Sequence, residues 1–280
     1  MQTVNDKLTF LSSLFFNLEI PRCTRNDNSI MNIKAIKTRR FLPPKDDLWD
    51  LLSEIRNLEE NSVMAVTSKV VAIGEGRCIP LGDIDKDELI IKESDKYLPR
   101  NLVPNDWTMY TQKNNLLVAA AGIDESNAYG YYILWPKKPE LSAKRIWDFL
   151  REKFQLKNLG VIVTDSRVTP LRRGVLGMAI AYFGFKPLKD YRGKLDLFGR
   201  KFEMETTDIP DSLATGAVLE MGEGAECQPL AIITDVPYVE FIDKKYNPKT
   251  ADDSFEIPEK EDLFYPFLSS VPWQKGGSGK

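Results

Sequence analysis

Three short stretches place oxygen-bearing side chains at the ends of apolar segments. "AGIDESN" carries Asp124, Glu125, Ser126 and Asn127, "VIVTDS" carries Asp165 and Ser166, and "MGEGAE" sets Glu223 between Gly222 and Gly224. Aspartates at strand ends that face a crevice commonly meet ligands in α/β sheets. Two aspartates and a glutamate suit Mg²⁺ or Mn²⁺, which keep several waters and bind substrate phosphates. Glycines beside Glu223 let backbone N–H groups approach a phosphate closely. The chain has no histidine, which excludes Ser-His and Cys-His hydrolases and leaves oxygen as the main metal donor.

Each stretch also has a plainer reading. An aspartate after a strand is most often a turn residue or a helix cap. The basic group Arg167, Arg172 and Arg173 fits either a grip on an anionic substrate or a solvated face. Cys227 reads most simply as a packed thiol. Neither a Walker A run nor a Rossmann glycine fingerprint occurs, so a nucleotide would need another device.

Composition narrows the classes further. With 280 residues and a formal net charge of -3, the chain has room for a proper core and no electrostatic bias toward nucleic acid. No apolar run reaches membrane-spanning length. The patch from Leu8 to Phe16 has one lysine before it and no small-residue cleavage site after it, so a signal peptide is not expected. Three scattered cysteines, Cys23, Cys78 and Cys227, imply a reducing compartment, hence the cytoplasm, and neither a disulfide framework nor a zinc cluster.

The elements that must position these residues can be read from periodicity. "DDLWDLLSEIRNL" puts Leu48, Leu51, Leu52, Ile55 and Leu58 at helical spacing. "SVMAVTSKVVAIGEG" reads as a strand ending in a glycine turn, with further strands in "LLVAAAG", "YGYYILW", "LGVIVTD" and "QPLAIITD". In "LSAKRIWDFLREKF" Ser142 is a candidate N-cap for a helix. "GVLGMAIAYFG" reads as a buried helix closed by Gly184, and "TDIPDSLATGAVLEMGEG" as a helix capped by Asp208 and ended by Gly222. Mixed strands and helices predict an α/β (mixed α+β) fold. Residues 1–30 read as an N-terminal extension, 31–245 as the main domain, and 246–280 as a C-terminal segment with a flexible Gly/Ser tail, "QKGGSGK".

Four motifs in order, "AGIDESN", "VIVTDSRVTPLRRGVLGMAI", "LKDYRGKLDLFGR" and "MGEGAE", make the chain resemble the coenzyme F420-0:γ-glutamyl ligases. "PPKDDL" and "TSKVVAIGEGR" extend the likeness, which covers Ile33 to Val239. The resemblance implies a fold of mixed sheets with flanking helices, a homodimer, and GTP-dependent ligation of L-glutamate onto a deazaflavin precursor through an acyl phosphate. Such chemistry needs cations on phosphate oxygens more than it needs a histidine. By resemblance, Asp124 and Asp165 fall on a first Mg²⁺ or Mn²⁺ site, and Ser166, where the family has threonine, and Glu223 on a second. K⁺ is implied as a further cation. Ser68, Lys69 and Asn127 match nucleotide contacts. So does the run Met221, Gly222, Gly224, Ala225, Glu226, Cys227 and Gln228 around Glu223, and more loosely Phe41 to Pro44.

The chain departs from the family pattern at several positions. Ala72 and Ile73 replace a Ser-Lys pair, and Ala120 an asparagine. Val168 and Thr169 replace Gly-Arg, with Arg167 as the nearest substitute, and Ser212 replaces an acid. Loss of a lysine–phosphate contact at 73 predicts weaker GTP binding, by about 1.5–3 kcal/mol. Two alternatives therefore stand beside the first reading: a related ligase for another small carboxylate, and a non-catalytic ligand-binding relative.

Overall fold

Along Ser62–Thr67 the side chains alternate between two cores: Val63 and Ala65 enter one, Met64 and Val66 the other. Period-two alternation does this wherever a strand lies between two layers. In the computed structural model, which describes residues 30–248, 250 and 253–277, that strand sits in the middle of the main sheet. The extension expected over 1–30, with its Leu8–Phe16 patch, lies outside the described residues except for Ile30.

The first half of the chain gives β1 (Asn32–Ile36), α1 (Leu48–Ser53), β2 (Ser62–Thr67), α2 (Ser68–Gly74), β3 (Cys78–Pro80) and α3 (Lys86–Glu93). Then come β4 (Lys96–Leu98), β5 (Tyr110–Lys113), β6 (Leu116–Ala119), β7 (Tyr131–Ile133) and α4 (Pro139–Phe154). The second half gives β8 (Leu159–Val168), β9 (Val175–Phe183), β10 (Leu188–Asp190), β11 (Thr206–Asp208) and α5 (Ile209–Met221). It closes with β12 (Leu230–Thr234), α6 (Tyr265–Ser270) and β13 (Gln274–Lys275).

Five strands form a mixed sheet in the order β1-β12-β2-β8-β9. Only β2 and β8 run parallel; the other neighbours are antiparallel. On one face α4 lays Ala143, Ile146, Trp147 and Leu150 over Met64, Val66, Val161 and Val163. On the other, α5 lays Leu213, Ala214, Ala217 and Val218 over Val63, Ala65, Ile162 and Ala231. Each large aliphatic side chain so buried contributes roughly 1.5–3 kcal/mol. Helix α5 comes close because Gly177 on β9 has no side chain: a Cβ there would stand 2.4 Å from the Ala214 carbonyl oxygen. This is the expected mixed α/β architecture.

A smaller lobe carries an antiparallel sheet in the order β13-β4-β5-β6, with β3 and β7 paired separately. Its core is Leu89, Ile90, Met109, Ala120, Ala121, Ile123 and Leu134. The described part of the Gly/Ser tail is not free: β13 pairs with β4, and the amides of Gly276 and Gly277 donate to the carbonyls of Asp95 (2.9 Å) and Ile91 (2.8 Å). An edge strand presents unpaired backbone groups, and the tail takes them up.

Four local expectations change. "SVMAVTSKVVAIGEG" splits at Thr67 into β2 and α2. Val70, Val71, Ala72 and Ile73 are all buried, so the short helix shows no polar stripe and reads as strand. "GVLGMAIAYFG" is the strand β9, whose middle is covered by helices on both faces; a continuous apolar run fits either element. Helix α4 begins at Pro139, not after Ser142, since proline suits a first helical turn. The Ser142 hydroxyl lies instead against the Glu75 carboxylate. Helix α1 stops at Ser53, although Ile55 and Leu58 remain buried beyond it. Asp208 does cap α5, accepting from the Asp211 amide at 2.9 Å, and Gly222 ends that helix.

Candidate functional site

The crevice forms where two parallel strands part. Strand β2 pairs with β8 as far as Thr67 opposite Thr164, and there the chain turns into α2. Strand β8 continues to Val168, paired only with β9. Asp165 and Ser166 therefore lie inside a strand, not at its exit as the sequence reading had it. What ends beside them is the neighbour β2, and the gap it leaves opens onto a cavity of about 520 Å³.

The cavity gathers the residues singled out in the sequence. Ser68 and Lys69 come from the start of α2, and Asp124 and Asn127 from the loop after β6. Asp165 and Ser166 come from β8. The end of α5 and the loop after it supply Met221, Gly222, Glu223, Gly224, Ala225, Glu226, Cys227 and Gln228. Of the looser segment, Phe41 and Leu42 line the wall; Glu125 turns outward to Lys86 at 2.8 Å. Thr38, Arg39, Arg40 and Tyr129 also line the cavity and were missed, because no periodicity or glycine pattern marks them. Arg167 does not reach it: its guanidinium pairs with Asp211 at 2.8 Å. Arg172 and Arg173 are exposed, as a solvated face would have them.

Hydrogen bonds give the acids distinct characters. The Lys69 ammonium lies 2.6 Å from Asp124 Oδ2 and donates to the Ser126 carbonyl at 2.8 Å. The Ser126 amide donates to Asp124 Oδ1 at 2.7 Å. Burial alone would raise the Asp124 carboxyl, but Lys69 and Ser126 outweigh it and hold it below the usual range. Asp165 is the opposite case. Burial pushes its carboxyl up to about 6 against the Ser166 amide (2.8 Å) and the Trp135 indole N–H, and the nearby Asp124 charge raises it further. Trp135 is a further residue in contact with the site that periodicity did not reveal.

Ser166 and Glu223 form the second oxygen pair of the cavity. Ser166 Oγ donates to Glu223 Oε1 at 2.6 Å. Asn127 Nδ2 donates to the Gly224 carbonyl at 2.9 Å, and the Gly224 amide to Glu226 Oε2 at 2.8 Å. The Cys227 carbonyl accepts from the Thr38 amide at 2.8 Å, and that of Pro229 from Thr67 at 3.0 Å. The loop after α5 is thus stitched to four other segments. Ile73, where the resemblance puts a lysine, is 2 % exposed and forms part of the wall. Ala120 is buried in the smaller lobe.

A hard divalent cation fits this donor set. Among the described residues, no three His, Cys, Asp or Glu side chains converge tightly enough to cage an ion. Asp165 lies near enough to Asp124 to feel its charge, and Ser166 is bonded to Glu223. Mg²⁺ typically takes one or two carboxylates and completes its shell with water and substrate phosphate. A partly buried carboxyl whose charge is disfavoured by a second acid is also one that a cation would stabilise.

The family described as F420-0:gamma-glutamyl ligase matches residues 36–235. The coenzyme F420:L-glutamate ligase of Methanopyrus kandleri is 34% identical over 220 residues, 72% of this chain and 86% of that protein. The enzyme of the same name from Methanosarcina mazei is 31% identical over 242 residues, 79% of this chain and 95% of its own. A third, from Methanocaldococcus jannaschii, is 38% identical over 138 residues, 49% of this chain and 55% of that one. Every residue lining the cavity, from Thr38 to Pro229, falls inside the matched span, and the chain belongs to the F420-0:gamma-glutamyl ligase family.

Proposed function

We propose that the chain is a GTP- and divalent-metal-dependent ligase that joins L-glutamate to the deazaflavin precursor of coenzyme F420. The observation that supports it most is the meeting of three acids, Asp124, Asp165 and Glu223, with the Ser166 hydroxyl and Lys69 in one cavity built within the family span. Asp124 and Asp165 would hold one Mg²⁺ or Mn²⁺, and Ser166 with Glu223 a second. Such cations would supply positive charge that offsets the charge developing on the phosphate in phosphoryl transfer.

In this reading the substrate carboxylate attacks the γ-phosphorus, and the bond to the bridging oxygen breaks as GDP leaves. The glutamate amine then attacks the acyl carbon, loses a proton, and displaces phosphate. Lys69 places a positive charge beside the phosphates, Asn127 orients the nucleotide, and Met221 to Gln228 wrap it with backbone N–H groups. Calorimetric titration of Mn²⁺ and GTP tests this. Wild type should bind both, Asp165→Asn should lose Mn²⁺ affinity, and equal binding by the two proteins would overturn the assignment.

The same chemistry on another small carboxylate is a second reading, motivated by Ile73 and Ala120 at positions where the family has lysine and asparagine. Nucleotide-dependent phosphate release across a metabolite panel separates the two; a chain silent with every acceptor would be a non-catalytic relative. No described helix is long and apolar enough to cross a membrane, and the described cysteines, Cys78 and Cys227, are free thiols, in keeping with a cytoplasmic enzyme. A homodimer belongs to the same proposal. The segment between β10 and β11 exposes Leu195 (61%), Leu197 (72%), Phe198 (94%) and Met204 (83%), an apolar arm suited to a second copy.

A further inference from the structure

Each Asp165 oxygen accepts one hydrogen bond, Oδ1 from the Ser166 amide at 2.8 Å and Oδ2 from the indole N–H of Trp135. A carboxylate oxygen has two lone pairs, so each keeps one for a cation while the carboxylate plane is set. Both donors are neutral. A lysine or arginine in the same place would orient the carboxylate and also cancel its charge, as Lys69 does at Asp124 Oδ2. An indole orients without cancelling.

The indole itself is fixed from three sides. Trp135 is 1% exposed. A Cβ on Gly122 would stand 2.0 Å from Trp135 Nε1, and Gly122 has a φ of +72°, so only glycine lets the ring edge pass beside the backbone leading to Asp124. The Lys113 ammonium lies 5.4 Å from the Trp135 ring centroid, inside the cation–π range. Lys113 is tied to Glu93 at 2.9 Å, and Arg77 pairs with the same carboxylate oxygen at 2.7 Å. Arg77 Nε also donates to the Trp135 carbonyl at 3.0 Å. One ion triad, buried at Lys113 and half-buried at Arg77 and Glu93, thus grips both the ring face and the backbone of the residue that aims Asp165.

We infer that Trp135 is a positioning residue of the cation site, holding the Asp165 carboxylate in its ligating orientation and braced by Arg77, Glu93 and Lys113. The inference rests on the reading of Asp165 as a cation ligand. Outer groups that orient a metal ligand typically change affinity about 10–100-fold when lost, so Trp135→Phe should weaken Mn²⁺ binding by at least about tenfold.

Two measurements test it. In the ¹⁵N-tryptophan spectrum of the full chain, whose five tryptophans give separate indole signals, one N–H resonance should move in Asp165→Asn, and that same resonance should move when Mg²⁺ is added to wild type. Calorimetry with Mn²⁺ alone should rank wild type above Trp135→Phe. If Asp165→Asn binds Mn²⁺ as wild type does, the cation reading fails and this inference with it. If Asp165→Asn loses affinity while Trp135→Phe keeps it, the cation reading stands and the positioning role is overturned. Should Trp135→Phe fail to fold, the indole resonance decides: one that moves in Asp165→Asn but ignores Mg²⁺ overturns the role.

Discussion

Ser166 and Glu223 meet across the crevice through a 2.6 Å hydrogen bond, although 57 residues separate them in the chain. The bond ties the exposed loop after α5 to the part of β8 that runs on past the end of β2. Glu223 is exposed, so losing this bond should cost less than about 1 kcal/mol of stability. Its value to a ligand is larger, because it sets where Glu223 presents its free oxygen. Ser166→Ala should therefore lower nucleotide-dependent phosphate release at least about tenfold while moving the thermal midpoint by only a few degrees. Ser166→Thr keeps the hydroxyl and should retain most of the rate. An Ala variant as active as wild type would remove Ser166 from the site.

Cation binding should depend on pH through Asp165. Burial raises its carboxyl from the ordinary 3.8 to about 6 in the absence of metal, so a cation must displace a proton below that value. Mn²⁺ affinity should fall steadily below about pH 6 and level off above pH 7. The stability linkage has the opposite sign. With the folded-state pKa raised, the folded chain holds the extra proton, and the stability this gives is complete below about 3.8 and lost as pH rises through about 6. Asp165→Asn should consequently remove this part of the pH dependence from the stability of the metal-free protein and weaken Mn²⁺ binding across the whole range. Calorimetry and thermal unfolding across pH 5 to 8 check both.

These behaviours trace to residues of uneven legibility. Asp124, Asp165, Ser166 and Glu223 were readable because short motifs hold them in a fixed order, and α5 because Asp208, Pro210 and Gly222 mark its ends. The break between β2 and α2 was not, since Val70 to Ile73 are apolar and buried on all sides and carry no period. Strand β9 was hidden for the same reason. Trp135 could not be found from periodicity, because its meaning lies in a side-chain bond spanning 30 residues, and a tryptophan in an apolar run ordinarily reads as core. For Arg167 the sequence left two readings open: its neighbours point to the site, yet its partner Asp211 on α5 draws it away.

Gly177 governs how α5 delivers its C-terminal loop. A methyl at that position would stand 2.4 Å from the Ala214 carbonyl and 2.7 Å from Val218 Cβ, so the helix must shift outward. Gly177→Ala should cost about 1–3 kcal/mol as overpacking and should weaken GTP binding more than Mn²⁺ binding at Asp165, because the displaced helix carries Met221 and the following loop. Denaturant unfolding alongside both titrations separates the effects; unchanged GTP affinity in a destabilised variant would show that the loop does not depend on helix placement.

The apolar arm makes a prediction about assembly. Phe198 is 94% exposed and Leu197 72%, within the turn that the Leu195–Lys201 bridge closes. Scattered apolar residues on a surface are ordinary, but a cluster at one projecting tip marks an interaction site. Phe198→Asp should convert a dimer to a monomer in analytical ultracentrifugation without unfolding it, because a side chain this exposed contributes little to the fold of its own subunit. A wild-type chain that sediments as a monomer would sink the dimer proposal.

The sharpest stability effect should come from Glu93. Its carboxylate serves two cations, Lys113 at 2.9 Å and Arg77 at 2.7 Å, and the Lys113 side chain is only 8% exposed. Burial pushes the Lys113 ammonium below its ordinary range, and Glu93 is the main group opposing that. Glu93→Gln keeps the shape and removes the counter-charge, leaving a buried ammonium uncompensated, which should cost about 3–5 kcal/mol. The sign of the pH response identifies the cause. With its folded-state pKa depressed further, Lys113 binds fewer protons folded than unfolded, so the variant should regain stability as pH rises from neutral toward the ordinary lysine range of about 10. Lys113→Met in the same background removes the charge outright and should recover much of the loss without any pH dependence. Urea unfolding of the three proteins near pH 7 and near pH 9.5 reads both effects, and a Glu93→Gln deficit that does not shrink at the higher pH would place the damage in packing instead of charge.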